Sequence, residues 1–234
     1  MTSVSSPAPA AGPVFVRLLA RVAGAGAGVG DGPPLAATLA RWIDWPRAVT
    51  LAGALDGPVA AAAEHSFDTS DDADCAQART QLREAILSDT TLSLHSAATP
   101  DADAGFSPLR TRYVAHQRAI LAVTGRLRGR LRDRLAARPD GARLAEVDAA
   151  MEQALGAREH ALLSTVPDLL GRHFERLQAQ AAAASQGTTM PSPAGPWLDR
   201  FRLEMRELLL AELDVRFSPV EALLAALRAT DPMP

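Results

Sequence analysis

The strongest pattern of apolar and polar positions lies in the middle of the chain. From Leu109 onward, apolar side chains recur every three or four residues over about 30 positions, which is the spacing of one helix face. The members of this series are Tyr113, His116, Ile120, Val123, Leu127, Leu131 and Leu135. A similar series fills 144–177, after a turn sequence at 138–141. The pattern predicts an antiparallel helical hairpin over 107–185, with narrow stripes typical of a coiled-coil seam.

Prolines and short polar residues predict where these two helices begin and break. Ser107 is predicted to cap the first helix, with Pro108 in its first turn, where a missing N–H is tolerated. Pro167 is predicted to kink or restart the second helix, with Thr165 as its cap.

The N-terminal part predicts shorter helices. Residues 1–12 are small and Ser/Pro/Ala-rich, which is typical of a disordered tail. The helical segment 13–58 follows, with predicted helices at 14–22, 35–43 and 45–55, separated by a glycine-rich linker at 24–34. Asp44 is the predicted cap of the third helix. Trp42 and Trp45 flank this junction, and they either pin the two helices together in the core or form a docking surface.

The remaining segments are an acidic linker at 59–106 with a short helix at 77–88, a second linker at 186–196, and amphipathic C-terminal helices at 197–230. Ser218 and Pro219 are predicted to divide this last segment into two helices. The apolar face of its first helix includes Trp197, Phe201, Leu208 and Leu209. Such a face must pack on the hairpin or on another chain, so these four residues are candidate interaction residues.

Composition supports an all-α fold and excludes several classes of site. Alanine and leucine, the best helix formers, dominate the chain, whereas only 4% of its residues are aromatic. There is no lysine and no asparagine, so a P-loop, a Schiff-base enzyme and a protein kinase are all excluded. Cys75 is the only cysteine, which excludes an intrachain disulfide and a multi-cysteine zinc site. Neither a secretory signal nor a membrane span is evident, so we expect a cytoplasmic protein.

Charge is unevenly distributed although the formal net charge is only −3. An acidic block at 64–103 precedes an arginine-rich helix, in which Arg126, Arg130 and Arg134 are spaced four residues apart. These side chains either pair with carboxylates of the same or a neighbouring chain, or contact the phosphates of a nucleic acid, or lie on a membrane surface. Acidic residues on the second hairpin helix favour pairing, and nucleic-acid binding by 126–138 is the alternative.

No constellation of residues predicts catalysis, a cofactor or a metal. The five histidines lack the i, i+4 spacing of a helical metal site, and no nucleophile elbow is present. Ser164 and His160 occupy successive turns of one helix without an orienting third group. His116, on the apolar stripe, is either a buried hydrogen-bonded side chain or a functional one.

Four stretches of the chain resemble an uncharacterised proteobacterial family of unknown function. They begin at Phe15, Trp42, Arg112 and Leu208, and read FVRLL, WIDW, RYVAHQR and LLLAELDVRFSPVEALLAAL. The resemblance implies a gene neighbourhood with outer-membrane-anchored, peptidoglycan-binding proteins and motor-like subunits, and it implies no activity or functional residue. It suggests a cytosolic accessory of an envelope complex.

These observations together predict a non-enzymatic protein-interaction or scaffold protein. Its expected partner is a second copy of itself or another helical protein.

Overall fold

The computed structural model describes residues 14–24, 43–57, 70–93, 105–185 and 195–229. These ranges contain helices and no strands, so the predicted all-α fold is confirmed. The helices are α1 (Val14–Ala23), α2 (Trp45–Asp56), α3 (Ser70–Leu87), α4 (Ser107–Ala136), α5 (Ala142–Leu163), α6 (Val166–Ser185) and α7 (Gly195–Ala229), with a 3₁₀ turn at Thr90–Leu92.

Helix α7 lies at the centre of the bundle and contacts α1, α3, α4 and α6. Its 35 residues correspond to a rod of about 52 Å. It runs parallel to α4, since Tyr113 of α4 contacts Glu212 and Arg138 donates to the carbonyl of Leu227. It runs antiparallel to α3, since Arg79 binds Asp214 while the earlier Asp72 binds the later Arg228. Because α7 is surrounded on several sides, its apolar positions are buried nearly all the way round.

The predicted hairpin is present, but its apolar seam is not between its two arms. Helices α4 and α5 are antiparallel and are joined by a turn at 137–141. The stripe of α4 packs mainly against α7, while α5 buries small residues, namely Ala142, Ala145, Ala150 and Ala154. Leu144 and Leu162, which the sequence pattern places in the seam, are exposed. The expectation of a coiled-coil seam between α4 and α5 is therefore wrong for these positions, because α7 takes the place of α5.

Two predicted helix boundaries are wrong. Helix α3 begins at Ser70, seven residues before the predicted start at Gln77, because Asp71 and Cys75 in its first turns are buried against the bundle. Helix α7 continues through Pro219 without a restart. A proline inside a helix removes one N–H donor, so packing along the whole length of α7 outweighs that local cost.

The predicted helix break before Pro167 is confirmed, since α5 ends at Leu163 and α6 begins at Val166. Neither cap predicted in this part of the chain is formed. The hydroxyl of Thr165 donates to the carbonyl of Leu162, and Ser107 lies inside the first turn of α4.

Helix α2 packs on α5, with its C-terminal end at the start of α5. Arg143 donates to the carbonyl of Gly57 at 2.9 Å, which fixes that end. The predicted cap is confirmed, since Asp44 accepts a hydrogen bond from the backbone N–H of Arg47. Trp42 and most of the predicted helix 35–43 lie outside the described residues.

Candidate functional site

The arginine-rich helix α4 is paired with acidic residues on two sides. Toward α5, Arg128 donates to Asp148 at 2.7 Å and Arg132 donates to Glu152 at 2.6 Å. Arg128 also lies 3.5 Å from Glu152, and Arg132 lies 3.3 Å from Asp148, so the four side chains form one network. Burial is the largest single influence on the pKa of Arg128 and lowers it, but the hydrogen bonds to Asp148 and the negative charges of Asp148, Glu152 and Glu159 together leave that pKa raised. This pairing is the one that the sequence favoured.

Toward α3, the same helix meets the acidic block. Arg130 lies 2.9 Å from Asp74, and Arg134 lies 3.3 Å from the buried Asp71. Arg126, the third candidate of this row, has no ion pair with any residue in the described ranges. Phosphate contact by Arg130 and Arg134 would compete with their pairing to Asp71, whose side chain is buried.

The C-terminal interaction candidates form part of the intrachain core. Phe201, Leu208 and Leu209 are fully buried, and Trp197 is partly buried with its ring 5.1 Å from that of Phe174. Their burial follows from the position of α7, which is enclosed by α1, α3, α4 and α6. Of the two alternatives for this segment, packing within the chain is the one observed.

Helix α2 presents the most exposed aromatic side chain of the described residues. Trp45 is 81% exposed, and Val49, one turn later on the same side of the helix, is 52% exposed. Leu55 is 50% exposed near the end of the helix, and no residue of α2 is buried. The interpretation of Trp45 as a core residue is therefore wrong, and the docking-surface alternative is the one that its exposure favours.

A buried polar cluster lies where α4, the α5–α6 break and α7 meet. Glu212 is fully buried and accepts hydrogen bonds from Tyr113 at 3.1 Å, from Gln117 at 2.9 Å and from Arg216 at 3.0 Å. Gln117 also donates to the carbonyl of Leu163, the last residue of α5. Burial, followed by the neighbouring carboxylate of Glu212, raises the pKa of Tyr113 well above its usual value. We call these side chains the Glu212 cluster.

The sequence did not reveal the Glu212 cluster, because its acidic member lies on another helix than its tyrosine. The i, i+4 spacing of Glu212 and Arg216 is visible in the chain, but the same spacing is common on solvated helices. Only tertiary packing shows that this pair is buried.

A second buried polar contact joins α6 to α7 and α1. The Arg176 guanidinium contacts Nδ1 of His173 at 2.7 Å and donates to the carbonyl of Val22 in α1. Because a guanidinium only donates, Nδ1 is the acceptor, and Nε2 carries the proton that faces Glu204. Burial raises the pKa of Glu204, but hydrogen bonds from His173 and Arg200 outweigh burial and lower it.

His116 is hydrogen-bonded, as the first of its two sequence-based interpretations predicted. Its Nε2 lies 2.8 Å from Oδ2 of the buried Asp89, which also binds Arg112 and accepts from the backbone N–H of Thr91. Burial raises the pKa of Asp89, and these donors together outweigh burial and lower it. The contact anchors the 3₁₀ turn to α4.

Within the described ranges, no three His, Cys, Asp or Glu side chains are grouped so that they could hold a metal ion. No helix in these ranges has both the length and the apolar character to cross a membrane.

A family model described as a protein of unknown function, DUF3348, matches residues 1–229. The chain belongs to the DUF3348 family. No curated protein and no solved structure matches this DUF3348 chain.

Proposed function

We propose that this DUF3348 chain is a non-enzymatic, cytoplasmic interaction protein that pairs with a second copy of itself through helix α2. The observation that carries the proposal is the exposure of Trp45 and Val49 on one side of that helix. Large apolar side chains that adjoin one another on a surface mark interaction sites, whereas scattered ones do not.

Burial of Trp45 supplies a substantial driving force. A buried tryptophan removes about 150–250 Å² from water, which at about 25 cal/mol per Å² corresponds to roughly 4–6 kcal/mol before the entropy of association is subtracted. Tryptophan is also enriched among the residues that dominate interface energies. Of the candidate residues in the described ranges, Trp45 is therefore the one best suited to anchor a partner.

Electrostatics allow a second copy as the partner. Asp44 and Arg47 neutralise each other at the start of α2, 2.6 Å apart, so two copies of this face would not repel each other. A twofold interface brings the same patch together from both chains. A stable interface needs about 800 Å² from each partner, more than one 12-residue helix can supply. The exposed Leu144 of α5, the helix on which α2 packs, provides apolar area to extend it.

The biological setting is part of the same proposal. The gene neighbourhood implied by the family resemblance supports an accessory of a bacterial envelope complex. In that setting, a dimer of helical bundles would bring two copies of the assembly together.

Light scattering at micromolar concentration tests the proposal. We expect the full chain to be a dimer, and we expect the double variant Trp45→Gln, Val49→Gln to be monomeric with an unchanged circular dichroism spectrum. Leu87→Gln is the matched control, because Leu87 is also partly exposed but lies on α3. Its dimer should persist.

Two results would overturn the proposal. One is a wild-type protein that stays monomeric across the micromolar range. The other is a dimer that the double variant retains, since that would place the interface on another face. If a heterologous partner is bound through Trp45 while the protein alone is monomeric, self-association is refuted and the interaction role is kept.

A further inference from the structure

We propose that a cleft between α4 and the α5–α6 break binds a small phosphate-bearing anion. The cleft has a volume of about 280 Å³ and is lined by Arg110, Arg118, Arg216 and His160. No acidic side chain lines it. This inference is independent of the self-association proposed above.

Arg216 provides a fixed cation at the inner side of the cleft. Its side chain is only 6% exposed, and its guanidinium is held by Glu212 at 3.0 Å and by Glu159 at 3.2 Å. Since the Glu212 cluster already orients this side chain, little conformational entropy is lost when a ligand binds. A guanidinium presents five N–H donors, so two carboxylate contacts do not exhaust it.

Arg118 provides a cation that is unpaired among the residues the structure describes. It is exposed on α4, and no residue in the described ranges forms an ion pair with it. Arg110, two turns earlier on the same helix, is bound by Asp168 at 3.2 Å through exposed side chains, so this contact is readily exchanged. An anion between Arg118 and Arg216 would therefore meet one free and one preorganised guanidinium.

The remaining lining fits the same ligand class. His160 and Ser164 add hydrogen-bonding groups from the end of α5 and the turn that follows it. Val114 and Leu121 of α4 provide apolar walls, which lower the local dielectric and strengthen charged hydrogen bonds. Planar guanidinium forks match the oxygens of phosphate. The volume lies just below the usual range of small-molecule sites, which favours a ligand the size of phosphate or a short phosphate ester.

Nearby acids limit the affinity without closing the cleft. Glu159, Glu212 and Asp168 balance the three arginines in total charge. These carboxylates do not line the cleft, and each is bound to one of the lining arginines, so the charged groups nearest to a ligand are guanidinium donors. We therefore expect a dissociation constant that is sensitive to the loss of a single arginine.

Titration calorimetry of the full chain with inorganic phosphate tests the inference, with sodium chloride at equal ionic strength as the blank. We expect saturable binding that Arg118→Gln weakens by about tenfold or more, the usual effect of losing one charged hydrogen bond. Arg126→Gln is the matched control, because Arg126 lies on the same helix outside this cleft and has no ion pair in the described ranges. Glycerol 3-phosphate and succinate, used as separate probes, distinguish phosphate esters from free phosphate and from carboxylates.

The imidazole resonances of His160 provide a second readout. Phosphate should shift them in the wild type and in Arg126→Gln, and much less in Arg118→Gln. Equal binding by the wild type and Arg118→Gln, with no movement of His160, would place the anion elsewhere and overturn the inference. Identical heats for phosphate and chloride would overturn it as well.

Discussion

Leucine-to-alanine substitutions at two positions distinguish the observed core, centred on α7, from the α4–α5 seam that apolar periodicity predicts. Leu208 is fully buried in α7, although the sequence pattern assigns it to an interaction face. Leu144 is 42% exposed in α5, although the pattern assigns it to the hairpin seam. If α7 is the central helix, Leu208→Ala should destabilise the chain much more than Leu144→Ala.

The expected difference follows from burial. Truncating a fully buried leucine removes its transfer free energy and leaves a cavity, which together cost about 3–4 kcal/mol. At Leu144 the lost methyl groups are partly in water and no closed cavity forms, so the cost should be about 0.5–1 kcal/mol. The higher helix propensity of alanine offsets a few tenths of that. The two variants should therefore differ by about 2–3 kcal/mol.

Urea unfolding followed by circular dichroism measures this difference, with both substitutions made in the Trp45→Gln, Val49→Gln background so that the proposed dimer interface does not contribute. With a urea slope of about 2 kcal/mol per M, Leu208→Ala should lower the midpoint by about 1–1.5 M more than Leu144→Ala does. The slopes of the two variants should agree with the wild type, which shows that the unfolding reaction is unchanged. A Leu144→Ala midpoint as low as that of Leu208→Ala would show that the hairpin seam carries the core and would refute the central position of α7.

Two further predictions concern buried polar groups. Glu212→Gln should cost about 2–3 kcal/mol in urea unfolding, the usual effect of losing a charged hydrogen bond, because Arg216 loses its buried carboxylate and keeps only the partly exposed Glu159. Adding Arg216→Met should recover part of that loss, and a double variant less stable than Glu212→Gln would contradict this. Because the pKa values of Asp89 and Glu204 are lowered by folding, their contribution is present above their unfolded pKa values, near 4, and is lost as pH falls through the folded ones. The urea midpoint should fall below about pH 4, and it should fall less in Asp89→Asn; an equal fall in that variant would argue against the linkage.

Local signals predict part of the local structure of this chain, although the caps at Ser107 and Thr165 and the restart at Pro219 are not formed. The cap at Asp44, the helix break before Pro167 and the length of α4 all follow from nearest-neighbour chemistry. The internal pairing of the α4 arginines also follows from the sequence, because the acidic residues of α5 lie at matching positions across a short turn.

The sequence does not predict which helix each apolar helix face packs against. Periodicity shows that α4 and α7 have apolar sides, but it does not show that they face each other, since they are separated by two other helices. Alanine adds to the difficulty, because it is common on both buried and exposed helix faces. Helix α5 buries Ala145 and Ala154 while it exposes Leu144, the reverse of what hydrophobicity alone predicts.

The exposure of Trp45 and the cleft beside Arg118 both depend on how the helices pack, which the sequence pattern does not show. A tryptophan next to a helix cap is consistent with either core or surface, and only the position of α2 on the outer side of α5 decides between them. Arg118 and Arg216 lie about 100 residues apart, so their approach depends on the packing of α7 against α4.

The charge blocks of the sequence predict helix neighbours better than its apolar stripes do. The acidic α3 places the buried Asp71 3.3 Å from Arg134 of α4, and it also binds the end of α7, where the more exposed Asp72 pairs with Arg228. The second acidic stretch, in α5, binds the opposite side of α4. Faces built from alanine and leucine fit many partners at similar energy, whereas a misplaced buried charge costs several kcal/mol. In a chain with so few aromatic residues, the pairing of charge blocks therefore restricts which helices can be adjacent, and apolar burial stabilises the arrangement that remains.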